Sequence, residues 1–422
     1  MDAKGNQKSY IYIIGLYLSI AYVFFGFIGN GVLLSKTVNK IALYCLLGYG
    51  TLVILFELFH GKFILPDFSI YYLFVLFLCI VSNLYSAGNE FMPDSLYSMI
   101  ICFLLTLIMY SFIRTKKDFV VFCWGNVFTS AIMFLLLFIS GKLYASRLVR
   151  LGDDIKGNAN VFAMGMMYPC MCAIWLMIYG QYKKRTKLVL LFTIIMDMYA
   201  ITLSAGRKSF ILPFVFFYLL LFFKQDEQNK KNIIKYTILT IIVIFFTIEM
   251  VQNIPILHET VGLRIEQMLN GVTGEGTVDA SSRVRSLFRR TAIEGWLESP
   301  LWGHGFDSFK YYARDKIGYF VYSHCNQTEL LFCGGLILFI AYYGAYAYIF
   351  HKANNPYLPN EYAAFAKAAI ISGIVFDFGL VSYNVIYVQR FIMLAFIAAG
   401  FTTVENNQKK EQRQLSKYII GG

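Results

Sequence analysis

The sequence predicts an all-α, polytopic integral membrane protein of about twelve transmembrane helices with one large extracytoplasmic loop. Three observations lead there. Of 422 residues, 58% are hydrophobic and only 15% charged, a balance too apolar for the water-facing surface of a soluble protein of this size. The apolar residues fall in runs of bilayer-spanning length. The basic residues are also shared unevenly between the two sets of connecting segments.

Runs near the roughly 20 residues that cross a bilayer lie at 10–33, 41–59, 69–88, 96–113, 119–140, 161–180, 188–204, 209–223, 236–252, 326–350, 365–383 and 385–403. The first follows the polar segment MDAKGNQK and has no small-residue cleavage site, so it is expected to be an uncleaved span. With the N-terminus in the cytoplasm, the cytoplasmic segments carry 19 Lys and Arg residues and the short outer segments 8. Basic residues in short connections stay inside. Both termini are therefore expected in the cytoplasm, and residues 253–325, too long to obey the rule, on the outer face. No repeat, heptad run or low-complexity tract interrupts the pattern, so residues 1–422 read as a single membrane domain.

Eight cysteines fall almost entirely within apolar runs, where Cys packs as a small hydrophobe. Only Cys325 is expected at an aqueous edge. No metal-ligand spacing of Cys or His occurs, and neither a metal nor another cofactor is expected.

Cations on the outer side run against the positive-inside bias, and an anionic ligand is the simplest reason for them. They are Arg207 and Lys208 after the seventh run, Lys142, Arg147, Arg150 and Lys156 between the fifth and sixth, and Arg264, Arg283, Arg285, Arg289, Arg290, Lys310, Arg314 and Lys316 in the long loop. Arginine suits phosphate because its planar fork donates two parallel hydrogen bonds. Eight acids in the same loop offer the alternative of internal pairing. Residues 283–299 have helical periodicity, with Val284, Leu287, Phe288 and Trp296 on one face, serines 281 and 282 as N-caps and Pro300 as a stop. This predicts an amphipathic helix across the mouth of the bundle. Arg285 and Arg289, four apart, would share a face suited to a diphosphate, or would simply snorkel from an interfacial helix.

Three histidines, His258, His304 and His324, lie in the loop, and His324 with Glu329 beyond it is the best placed for proton transfer. Glu57, Asp197, Glu249, Asp377 and Arg390 fall inside apolar runs, where charge is costly and marks function or pairing. An Asp377–Arg390 ion pair is the expectation for the last two spans.

The segment from Arg283 to Gly335 resembles the signature region of the Wzy-type O-antigen and capsule polymerases and their O-antigen ligase relatives. The resemblance rests on an arginine some fifteen residues before Pro300-Leu-Trp-Gly303-His-Gly305, on Phe306-Asp307-Ser308-Phe309, on Tyr322-Ser323-His324-Cys325-Asn326-Gln327-Thr328-Glu329-Leu330-Leu331, and on Gly334-Gly335. Asn158-Ala159-Asn160 and Ser204-Ala205-Gly206-Arg207-Lys208 resemble two further landmarks. Cys325 stands where the family usually has Asn, and Ala205-Gly206 where Ser is common. Spacing to Pro300 favours Arg285 as the family arginine, and the preceding serines favour Arg283.

The resemblance implies a metal-independent glycosyltransferase of the outer face of the cytoplasmic membrane, working on undecaprenyl-diphosphate-linked oligosaccharide. The growing glycan would pass to the incoming repeat. Arg207 and Arg285 would stabilise the departing diphosphate, His324 would accept the sugar hydroxyl proton, and Glu329 would orient His324. Arg283, Arg289, Lys208, Arg150, Asn160, Tyr322, Asn326 and Trp302 would bind substrate. A chain-length regulator and a flippase are the implied protein partners, and nucleic acid is not expected. Two other readings stand beside this one: a ligase that moves the finished glycan to another acceptor, and a transporter or flippase, which would show broken helices in two related halves.

Overall fold

A chain immersed in lipid must satisfy its backbone polar groups internally, which leaves helix as the outcome for long apolar runs. The computed structural model describes residues 10–29, 34–63, 65–88, 90–143, 150–156, 158–224, scattered positions from 237 to 266, and 280–401. Among the described residues every regular element is helical. In chain order these are α1 (Tyr10–Ile28), α2 (Lys36–Phe59), α3 (Asp67–Asn83), α4 (Asp94–Phe112), α5 (Lys116–Ile139), the short α6 (Asp153–Lys156), α7 (Ala159–Tyr179), α8 (Lys184–Leu203), α9 (Arg207–Phe223), a π-helical turn (His258–Gly262), α10 (Ala280–Glu298), α11 (Phe309–Ile317), α12 (Asn326–Lys352), α13 (Asn360–Asp377) and α14 (Ile386–Gly400). Seven of them, α1, α2, α4, α5, α7, α8 and α12, are long and apolar enough to cross a bilayer, and α3 and α14 are shorter apolar helices. Arg147, Arg264, both termini and most of 236–279 lie outside the described residues.

Local chemistry sets the helix ends. Pro66, Pro93 and Pro359 stand immediately before α3, α4 and α13. Thr115 and Asp118 form a reciprocal capping box at the start of α5. Helix α7 is buried nearly all round and lies at the centre against α5, α8 and α9. Helix α14, also central, packs on α13, α4 and α12. Outward faces such as Leu52, Leu55, Phe56 and Phe59 of α2 and Leu188, Phe192 and Ile195 of α8 are exposed and apolar. Apolar surface on this scale belongs against lipid, and the chain is a polytopic membrane protein.

The eleventh run begins and ends early. Pro359 starts α13 at Asn360, and after Asp377 the chain leaves the helix until Ile386. The cause is Asn326, whose Oδ1 accepts the backbone N–H groups of Ser382 and Tyr383 at 2.9 and 3.2 Å and holds that connection open.

The buried charges resolve individually. Glu57 accepts a hydrogen bond from Tyr12 Oη at 2.5 Å and an ion pair from Arg114, which also covers the Tyr12 ring. Asp197 accepts from Ser130 Oγ at 3.0 Å. The expected Asp377–Arg390 pair does not form. Asp377 is bound by the hydroxyls of Tyr343 and Ser382, while the Arg390 guanidinium lies 5.6 Å from the centroid of the Tyr387 ring. Hydroxyl donors near Asp377 meet the carboxylate's needs without bringing a second desolvated charge to it.

Helix α12 is broken, and the break explains the glycine pattern of residues 303–335. Gly335 takes φ 63°, ψ −163°, outside the helical region, so the bonds from Leu336 N–H to Phe332 O and from Ile337 N–H to Cys333 O are lost. The turn 300–305 replaces all four ends. His304 and Gly305 donate to the Phe332 and Cys333 carbonyls at 2.8 and 2.9 Å, and Leu336 and Ile337 donate to the Pro300 and Leu301 carbonyls at 2.9 and 3.4 Å. A Cβ on Gly303 would stand 2.5 Å from Phe332 O, and one on Gly335 2.2 Å from Leu301 O. Ser82 and Ser86 at the α3 end bind beside this junction, to Cys333 O of α12 and to Phe306 O just after the turn. Each polar group left unmet there would cost about 1–3 kcal/mol, so turn and helix are obligate partners.

Candidate functional site

The helix expected over residues 283–299 forms as α10, beginning at Ala280, so serines 281 and 282 lie within it and do not cap it. Its inner face is Phe288, Thr291, Ala292 and Gly295. Leu287, expected on that face, is exposed, because the helix rests on α12 through Phe288 and Ala292, packed with Phe309 and Phe332. Ser282 takes a different part: its hydroxyl accepts from Arg207 Nη1 at 3.3 Å and ties α10 to the start of α9.

That start is shaped by Ala205, which adopts φ 53° in the left-handed region and turns the chain sharply from α8 into α9. The turn delivers Arg207 and Lys208 at the N-terminal end of α9. Arg150 binds the same corner, with Nε on Ser204 O at 2.9 Å and Nη2 on Asn160 Oδ1 at 3.0 Å. Lys208 lies along the backbone of Gly379, where a Cβ would fall 1.9 Å from its Cε, and its ammonium is in the field of Arg285, Arg289 and Arg207. Arg283 is exposed on another side of α10. Of the two arginines left open by the sequence, Arg285 stands with the clustered cations and Arg283 does not.

His324 faces the same cations. It is half-buried, with φ 59°, and its ring stacks on Phe288 at 5.8 Å and lies 4.3 Å from the Tyr322 ring. Burial first, then the charges of Arg285 and Lys208, push its pKa down to about 4, so at neutral pH it is an uncharged base. Burial raises the Tyr322 phenol above its usual value. The other loop histidines are committed elsewhere: His304 donates to Gly295 O at 2.7 Å and stacks on Phe332, and His258 Nε2 lies 3.2 Å from Glu266.

Four expected placements change. Glu329 does not touch the His324 ring; its Oε2 accepts the Ser323 backbone N–H at 2.7 Å, so it fixes the peptide beside His324. Asn326 is fully buried, and its side chain holds Ser382, Tyr383 and Tyr343. Cys325 is only 2% exposed, because it stands at the start of α12 between buried Ser323 and buried Asn326, and its thiol donates to Gln327 Oε1 at 3.1 Å. Trp302 is exposed on the seated turn, where its carbonyl accepts from Tyr85, and it contacts none of the clustered cations. Phe288 and Gly379 belong to the site and were not singled out from sequence as parts of it. A stacking platform and a small residue under a lysine have no local signature.

The result is one end of the bundle where Arg207 and Lys208 of α9, Arg285 and Arg289 of α10, and neutral His324 meet beside two helix N-termini. Like charges gathered in a half-buried place repel, and an anion relieves the repulsion. The N-termini of α9 and α12 add their partial positive charge. Among the described residues no three His, Cys, Asp or Glu side chains form a metal-ligating group. No protein-family model matches the chain, and no curated protein matches it.

Proposed function

We propose that the protein is a repeat-unit polymerase of the Wzy type, transferring a glycan from its polyprenyl diphosphate to an incoming lipid-linked repeat at the outer face of a bacterial cytoplasmic membrane. The observation that carries this reading is the meeting of Arg207, Lys208, Arg285 and Arg289 with an uncharged His324. A diphosphate leaving group develops negative charge as its bond to the anomeric carbon breaks, and fixed cations stabilise it there. His324 takes the proton of the attacking sugar hydroxyl. The anion it faces raises its basicity, which links base strength to substrate binding.

Twelve spans with both termini in the cytoplasm complete the proposal. Eleven correspond to α1–α5, α7–α9 and α12–α14, and the remaining one to residues 236–252, largely outside the described residues. On this topology the N-terminal ends of α7, α9, α12 and α14 all face outward, with the 253–325 segment over them. The break in α12 does not favour a transporter, because the chain's own turn fills it.

The test replaces Arg207, Arg285 and His324 singly by Ala in the native strain, with Arg283→Ala as comparison, and resolves the lipid-linked glycans by length. The first three abolish long polymer and leave single-repeat glycolipid; Arg283→Ala retains the ladder. Normal ladders in all of them overturn the proposal. Accumulation of long lipid-linked chains assigns the ligase activity instead.

A further inference from the structure

Helix α3 is too short for the membrane it stands in. Its 17 residues rise about 25 Å, against a hydrocarbon core of roughly 30 Å. One end is fixed at a polar level by Asp67, which binds Lys352 at 2.9 Å and the Tyr348 hydroxyl at 2.6 Å. From Lys352 back to Gly335, α12 likewise rises about 25 Å. Both helices therefore reach the turn 300–305 with acyl-chain thickness still to cross. Tilt shortens the reach of a helix across the bilayer and places the turn deeper still.

The backbone of the turn is suited to that depth. Every carbonyl from Ser299 to Trp302 accepts a hydrogen bond from protein. Ser299 O accepts the Gly303 N–H at 3.0 Å, and Pro300 O accepts the Leu336 N–H and the Trp296 indole N–H, each at 2.9 Å. Leu301 O accepts the Ile337 N–H at 3.4 Å, and Trp302 O accepts the Tyr85 hydroxyl at 2.7 Å. Lipid offers no donor, so irregular backbone at membrane depth persists where protein satisfies it.

The side chains agree. Leu301 and Trp302 are exposed over more than half their surface. They continue the exposed apolar surface of Leu336 and Ile340 on α12 and of Leu84 at the end of α3, and the bonds to Leu336 and Tyr85 fix that adjacency. Leu297 carries the surface onto α10, while its neighbour Glu298 is directed to the Tyr312 hydroxyl at 2.9 Å. The exposed Arg290–Glu294 ion pair, at 2.8 Å one turn further along the same face, ends it.

We propose that the turn 300–302 and the last turn of α10 form a re-entrant wedge in the bilayer, with Leu297, Leu301 and Trp302 against the acyl chains of the leaflet opposite the Asp67–Lys352 pair. An indole at that level joins the aromatic belt of the membrane interface. The wedge completes the span that α3 begins. It also anchors to the membrane the helix whose other end carries Arg285 and Arg289. The proposal does not rest on the polymerase reading.

The experiment uses the full chain in phosphatidylcholine nanodiscs and follows the part of the tryptophan emission that Trp302→Phe removes. Lipid brominated high on its acyl chains quenches that part, lipid brominated near the chain ends quenches it less, and iodide in the water leaves it unchanged. As a second measurement, Arg290→Cys reacts with a charged maleimide above the background of the native cysteines, and Leu301→Cys does not, because a thiol among acyl chains does not ionise. Quenching by iodide without quenching by lipid, or equal labelling of the two cysteine variants, puts the turn in water and overturns the proposal. Quenching by neither shows that protein, such as a second copy of the chain, covers the surface, and overturns it as well.

Discussion

Gly335→Ala is the sharpest perturbation of this fold. The residue sits at φ 63°, ψ −163°, a region open essentially to glycine alone, and an L-residue held there is strained by about 2 kcal/mol. The added methyl would also meet Leu301 O at 2.2 Å, Leu301 C at 2.3 Å and Trp302 N at 2.5 Å. All three are backbone atoms of the seated turn and have no rotamer to give, so overpacking adds about 2 kcal/mol. The total of about 4 kcal/mol shifts the folded-to-unfolded ratio roughly a thousandfold. Gly344→Ala, in the same helix, is the matched control. Its Cβ meets nothing within 4 Å, and the better helix former gains up to about 1 kcal/mol. Detergent-solubilised variants unfolded by heat and followed by helical circular dichroism should separate clearly, Gly335→Ala falling well below wild type and Gly344→Ala at or above it. Indistinguishable transitions would refute the interlock of turn and broken helix.

Two further outcomes follow from named contacts. His324 titrates near 4 in the fold and near 6.5 in an unfolded chain, so its share of stability is full above about pH 6.5 and is lost as pH falls towards 4, where the unfolded chain binds the proton first. His324→Gln should flatten that acid limb, and an unchanged limb refutes the assignment. At the other end of the bundle, Arg114→Met strands the buried Glu57 carboxylate and should cost about 3–5 kcal/mol. The double variant Glu57→Gln with Arg114→Met should cost less than Arg114→Met alone. Simple additivity in the unfolding cycle would show that the pair is not coupled.

Hydropathy made the helices legible because lipid imposes one simple rule on every span, and it placed α1, α4 and α5 within a few residues. It misjudged α13 because nothing local announces that Asn326, far earlier in the chain, captures the amides of Ser382 and Tyr383. The same blindness applied to polar roles. Glu329 and Asn326 stand in a chemically suggestive string, yet their partners are backbone groups, Ser323 N–H in one case and the α13–α14 connection in the other. The choice between Arg283 and Arg285 was open because helical phase relative to α9 is a tertiary fact, fixed by Phe288 on one side and Ser282 on the other.

The glycines, by contrast, were visible as a pattern without a cause, and the broken helix supplies one. Between Asn326 and Gly335 the first part of α12 is a short rod clamped at both ends. Asn326 fastens its first end to the 378–385 connection, which also backs Lys208, and the turn 300–305 fastens its far end to the close of α10. Glu329, midway along the rod, reaches back to the Ser323 N–H and sets the peptide from which His324 projects. The base, the α9 cations and the α10 cations thus refer to one rigid segment, although they come from three distant stretches of sequence. A glycine, a buried asparagine and a buried glutamate outside the charged cluster therefore decide whether the charged groups meet.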